Sequence, residues 1–301
     1  MGSSTANFLL DEICAYTLFS DLHSNHNSVI TLLSLMEQCS FTFSRLNYSC
    51  DFYKREIGEI TSSEIFFSEA AMRGEYRDEF LRFNRILDNS VKFDPLDYLT
   101  ETTDELSDDF IEFLYNNENT GVLSLNDYSK SDWWKNKYNI VNANYSPLKY
   151  CRNWIYHNDI QENQLWEIVP ELFEGLYISP NLKLTNLGFP KRDILEWVIN
   201  VFSYLNDYAR RDFEKPDEFI NRASAAGINL SPESPNTHKD TSKMALRDID
   251  ISGSSICCEW HAKYAPTKGR IHFHIGTNLA DAVNTTTNDK VIIGIFCEHL
   301  D

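Results

Sequence analysis

Residues able to do acid–base or metal chemistry gather late in this chain: His238, His261, His272, His274 and His299, five of its eight histidines, lie beyond residue 237. Three of them sit in alternating patterns. In Ile256–Tyr264 the even positions Ile256, Cys258, Trp260, Ala262 and Tyr264 are apolar, while Cys257, Glu259, His261 and Lys263 are reactive or polar. Arg270–Ile275 alternates too, with Ile271, Phe273 and Ile275 against Arg270, His272 and His274. A period of two predicts strands with one packed face. Matching the apolar faces across the turn Ala265–Gly269 sets Lys263 opposite Arg270 or His272, and His261 correspondingly opposite His272 or His274. In either register Glu259, His261, Lys263, Arg270, His272 and His274 crowd onto one face.

Two histidines beside a lysine and an arginine supply what RNA transesterification needs: a base for the 2′-hydroxyl, an acid for the leaving oxygen and cations for the charged phosphorane. The same face suits a three-imidazole zinc site with Glu259 or Cys257 as a further ligand. Lys263 and Arg270 would repel that cation, so no metal and no other cofactor is expected. The bland reading is a solvated polar face on a half-buried sheet.

A second constellation is Arg152-Asn153-Trp154-Ile155-Tyr156-His157. It resembles the catalytic signature of HEPN ribonucleases, an all-helical family that cleaves RNA without metal. That resemblance implies a site made of Arg152, Asn153 and His157. Arg152 and His157 lie about 140° apart on an ideal helix, and in HEPN proteins a dimer brings two such helices together. The C-terminal stretch is in turn similar to the hairpin of RelE/HigB-type toxins: Cys258-Glu259-Trp260-His261, then Gly269-Arg270-Ile271-His272-Phe273, then Val291 to His299. It departs from that family in lacking the two preceding helices close in sequence and in having little surplus positive charge. Both resemblances imply an effector of bacterial phage defence or a toxin–antitoxin system.

The elements that must position these residues are mostly helical upstream. Apolar residues recur at helical spacing over 8–20, 28–39, 75–89, 103–115, 162–177 and 190–210, the last being the clearest with Ile194, Leu195, Val198, Ile199, Phe202 and Leu205 in register. Ser146-Pro147 marks a helix start running to about residue 158, and Asp94-Pro95 marks a loop. From 224 to 255 the composition turns to Ser, Pro, Asn and Gly and predicts a linker. Beyond it, after the two alternating stretches and a loop over 278–289, Lys290–Leu300 predicts a third strand, in which Val291-Ile292-Ile293 is buried on both faces. Three strands rarely stand alone, so this sheet is expected to lean on the helical body.

Composition bounds the rest. The 301 residues, 42% hydrophobic and 13% aromatic, suffice for one sizeable core and a smaller appended unit. No apolar run approaches the roughly 20 residues of a membrane span, and the N-terminus lacks a signal-peptide pattern, so a cytoplasmic protein with no membrane partner is expected. Seven cysteines without CxxC spacing indicate neither a disulfide framework nor a thiolate zinc finger. The net charge of −18 argues against broad wrapping of nucleic acid. It is uneven, however: residues 236–301 hold 7 Lys/Arg against 8 Asp/Glu, leaving the tail near neutral.

Together these observations predict an α+β chain: a mainly helical domain over 1–223, a linker over 224–255 and a small antiparallel β module over 256–301. The expected function is a metal-independent endoribonuclease effector with RNA as substrate, acting as a homo-oligomer. A non-enzymatic scaffold or sensor binding a protein partner in a defence complex is the first rival, and a metal-dependent hydrolase on the histidine face the second.

Overall fold

A computed structural model describes residues 5–93, 120–126, 140–158 and 160–300. The helix expected over 103–115 and the Asp94-Pro95 loop lie outside these residues. The chain is α+β and divides into two compact units, 1–154 and 155–301.

The first unit begins with an extended segment. Phe8-Leu9-Leu10 belong to strand β1 (Ala6–Leu10), and the following helix starts only at Glu12, where the Asp11 carboxylate accepts the Cys14 N–H as its cap. A helix from residue 8 is therefore corrected to a strand and a helix joined by one residue. The described residues then form β2 (Ser44–Ser49), a short hairpin of β3 (Glu56–Ile57) and β4 (Ile60–Thr61), β5 (Val91–Phe93), β6 (Thr120–Leu123) and β7 (Ile140–Val141). Five of these pair in parallel in the order β5-β2-β1-β6-β7. Burial on both faces suits a parallel sheet: β6 is buried throughout and only Asn7 of β1 is partly open. The helices Leu22–Glu37 and Arg77–Asp88 fall where periodicity placed them. An aromatic cluster of Tyr16, Phe19, Phe52, Phe66, Phe80 and Phe83 packs inside this unit, Phe66 stacking on Phe83 at 4.8 Å.

In the second unit the expected helices appear as Glu162–Leu172 and Lys191–Asp207, the first ending short of residue 177 because Leu176 and Tyr177 belong to a strand. The linker does not. Residues 224–255 hold β9 (Asn229–Pro232), two short helices (Pro235–His238 and Thr241–Ala245) and the hairpin strand β10 (Asp248–Ile251), paired with β11 (Ser254–Cys257). The boundary between the units falls instead at Trp154/Ile155. Few apolar residues suffice here because short-range caps fix the backbone: Ser234 accepts from Thr237 N and Asp240 from Ser242 and Lys243 N.

The main sheet of this unit runs β8-β14-β13-β12-β9, with β8 (Leu176–Ile178), β12 (Trp260–Lys263), β13 (Arg270–His274) and β14 (Val291–Cys297). All pairs are antiparallel except β14 with β8. The C-terminal strands thus do not form a separate module: β8 precedes the longest helix of the unit and β9 comes from the expected linker. The hairpin adopts one of the two predicted registers, Lys263 opposite Arg270 and His261 opposite His272. Its turn needs Gly269, at φ +77° with a Cβ position only 2.7 Å from the Tyr264 side chain. On the apolar side Trp260 packs edge-on against Phe213 and Phe219.

Candidate active site

The opposite side of the β12–β13 hairpin is not solvated. His261 and His272 are only 7% and 1% exposed, because the stretch expected to be a linker folds over them. They line a cleft of about 540 Å³ with Ser231, Glu233, Lys243, Arg247, Lys263, Arg270 and His299. The largely exposed polar face expected for the histidines is corrected accordingly.

Pairing β9 with β12 puts Ser231 directly opposite His261, and the Ser231 hydroxyl lies 3.1 Å from His261 Nε2. Two residues on, Glu233 leaves the strand end. Its Oε1 accepts from Arg247 Nε at 2.8 Å and lies 3.5 Å from His261 Nδ1 and 3.9 Å from His272 Nδ1. The imidazoles face each other with ring centroids 5.1 Å apart. His272 Nδ1 is 3.3 Å from the Cys258 carbonyl, so its proton is placed there. His261 Nδ1 and His272 Nε2, both buried, have no hydrogen-bond partner among the described residues.

Burial pushes the His261 imidazole down to about 4 and that of His272 to about 3. The carboxylate of Glu233 works against this for both rings, while Lys263, Arg270 and Arg247 add to it at His261. Both rings are therefore neutral near pH 7. At Glu233 burial favours the neutral acid, but the hydrogen bond and charge of Arg247, with the attraction of the two imidazoles wherever they are protonated, outweigh it and hold the carboxyl below its ordinary range. Burial and Arg270 lower the Lys263 ammonium. The cleft thus holds two neutral imidazoles, one ionised carboxylate and a partly desolvated lysine.

The remaining predicted residues take other places. Arg270 lines the cleft, but its guanidinium donates to the carbonyls of Ala265, Pro266, Lys268 and Gly269. It clamps the turn, a role that five N–H donors in a planar fork suit. His274 accepts the Gly276 N–H through Nδ1 and is not part of the cleft lining. Glu259, between β11 and β12, lies 3.7 Å from His238 and is not part of the cleft lining.

The Arg152-Asn153…His157 motif does lie on a helix, Pro147–His157, but its members diverge. Arg152 is 4% exposed, Asn153 donates to the Tyr145 hydroxyl, and the exposed His157 meets Arg192 at 2.9 Å.

Sequence reasoning missed Ser231, Glu233, Lys243 and Arg247, all hidden in the expected linker. One signal was available: Ser234-Pro235 is the same cap-and-proline start as Ser146-Pro147. It marks ordered structure beside Glu233. The chain matches no known protein-family model, no curated protein and no solved structure.

Proposed function

We propose that the cleft of the second unit cleaves RNA without a metal, by attack of a substrate 2′-hydroxyl on the adjacent phosphorus. The observation that carries this reading is the pairing of His261 and His272 across one hairpin, buried beside Glu233 and Lys263 in one cleft. In this reading His261 Nε2, now 3.1 Å from the Ser231 hydroxyl, takes the 2′-hydroxyl proton. Its Nδ1–H turns to Glu233, whose carboxylate stabilises the imidazolium that forms. Lys263, the cation nearest this base in the strand, donates to the leaving 5′-oxygen, and its lowered pKa makes it the stronger acid. Lys243 and Arg247 add positive charge for the phosphorane. His272, whose one proton faces the Cys258 carbonyl, positions His261 rather than acting as the acid. The chain is then a toxin-like effector of bacterial defence.

The test is incubation of the purified full chain with RNA in EDTA. Cleavage that persists in the chelator and falls roughly 10²–10⁴-fold in His261→Ala supports the reading. Intact RNA under these conditions removes it. Ser231→Ala separates two nucleophiles: near-normal cleavage is expected if the substrate hydroxyl attacks, whereas complete loss with a folded protein assigns the attack to Ser231.

A further inference from the structure

The Glu233 carboxylate and one nitrogen from each of His261 and His272 lie within 4.8 Å of one another, and each residue is at least nine-tenths buried. Each imidazole is anchored through one nitrogen, His272 at the Cys258 carbonyl and His261 at the Ser231 hydroxyl. Each also has a second, buried nitrogen with no hydrogen-bond partner among the described residues. At His261 the Ser231 hydroxyl holds the nitrogen on the far side from Glu233, the outer-shell pattern of metal-bound histidine, whereas His272 approaches Glu233 through the same Nδ1 that faces the Cys258 carbonyl. Two imidazoles and a carboxylate are a common zinc donor set, with metal–ligand distances of about 2.0–2.2 Å. Side-chain rotations that draw the three donors inward by about 1 Å would meet that geometry.

The positive neighbours are fixed in place by their own hydrogen bonds, but their charge still works against a cation. The Arg270 guanidinium is spent on four turn carbonyls. Arg247 is held by Glu233 and by the carbonyls of Lys243 and Leu300. Lys263 and Lys243 have no such partner among the described residues.

We infer that Glu233, His261 and His272 bind one Zn²⁺ ion, and that its binding switches the cleft off. The binding half stands on the geometry, and the switching half rests on the cleavage reading above. As a base, His261 carries its proton on Nδ1 and its lone pair on Nε2. Bound to zinc through Nδ1, it carries the proton on Nε2, donates it to Ser231, and has no lone pair left for a 2′-hydroxyl. The two states are tautomers of one ring.

The experiment titrates the full chain with Zn²⁺ alone in chelator-free buffer by calorimetry, with Co²⁺ as a spectroscopic substitute. One site per chain is expected, with visible cobalt bands typical of nitrogen and oxygen donors. Glu233→Gln and His272→Gln should each weaken Zn²⁺ binding roughly 10–100-fold or more. Lys263→Gln removes a repelling charge without touching a ligand, so it should tighten Zn²⁺ binding while slowing RNA cleavage. Zn²⁺ should inhibit wild-type cleavage at concentrations that fill the site. The absence of a one-to-one site, a cobalt spectrum dominated by thiolate, or equal affinity in wild type and Glu233→Gln overturns the binding proposal. Zn²⁺ bound with cleavage unchanged overturns the switch. Zn²⁺ bound by a chain that cleaves no RNA even in EDTA leaves the metal site standing and removes the cleavage reading instead.

Discussion

Both units bury carboxylates beside polar partners, and they treat them in opposite ways. At the ends of β1 and β6 in the first unit, Asp11 accepts from Cys14 N, the Ser124 hydroxyl at 2.6 Å and the Asn126 amide. Glu12 accepts from Ser49 N at 2.6 Å and from the Tyr16 hydroxyl, with Arg55 at 3.9 Å. Every carboxylate oxygen there has a donor, and the network ties two strand ends to a helix. In the second unit Glu233 is also buried, but the two imidazoles beside it each keep a nitrogen with no hydrogen-bond partner among the described residues, and the group lines an open cleft. A satisfied network holds a fold together. An unsatisfied one, next to space for a ligand, is where binding energy is available.

The largest effects expected from this contrast are on activity. His261→Ala should cost roughly 10²–10⁴ in RNA cleavage, whereas Asp11→Asn should leave cleavage by the folded protein unchanged while lowering the unfolding midpoint. Equal losses of activity in the two variants would erase the distinction. Trp260→Ala should destabilise by roughly 3–5 kcal/mol, because it empties the site where Phe213 and Phe219 pack; a urea melt within 1 kcal/mol of wild type, about the smallest core truncation cost, would contradict that packing.

Glu12 gives a pH signature. Burial raises its carboxyl from 4.5 to about 7 despite the Ser49 and Tyr16 donors. The folded protein therefore holds this proton more tightly than the unfolded chain. The resulting stability is present in full below pH 4.5 and is lost as pH rises through about 7, a change of about 3 kcal/mol. Unfolding of Glu12→Gln measured across that range should show a flatter profile than wild type; identical slopes would mean that another group carries the dependence. Smallest is His272→Ala, which removes a fully buried ring and its contact with the Cys258 carbonyl. A loss of about 1–3 kcal/mol is expected, more than an exposed histidine would give, and a thermal melt indistinguishable from wild type would show that the ring is not packed as described.

How far the sequence could be read follows from what local patterns encode. The strands β13 and β14 were legible, β12 was legible as the second half of a longer expected strand over 256–264, and the hairpin register was narrowed to two, because one apolar face and one turn constrain them together. The sheet of the first unit was not. β1 runs into its helix through Asp11 alone, so Phe8 to Leu10 merge with the helical spacing that follows, and β5, β6 and β7 have only three, four and two residues. The candidate site was half legible. His261, His272 and Lys263 announced themselves by alternation, whereas Glu233 and Arg247 sit in a polar stretch whose order comes from caps and strand pairing. Arg152 and His157 had the right types and spacing, but packing of their helix buried one and exposed the other.

The central claim, that the second-unit cleft uses a substrate 2′-hydroxyl without a metal, is tested most directly with a DNA oligonucleotide containing one ribonucleotide, incubated with the full chain in EDTA. A single cut immediately 3′ of the ribonucleotide, leaving a 2′,3′-cyclic phosphate and disappearing in His261→Ala, is the predicted result. An uncut oligonucleotide, cleavage of the all-DNA control, or a cut that survives His261→Ala would contradict it.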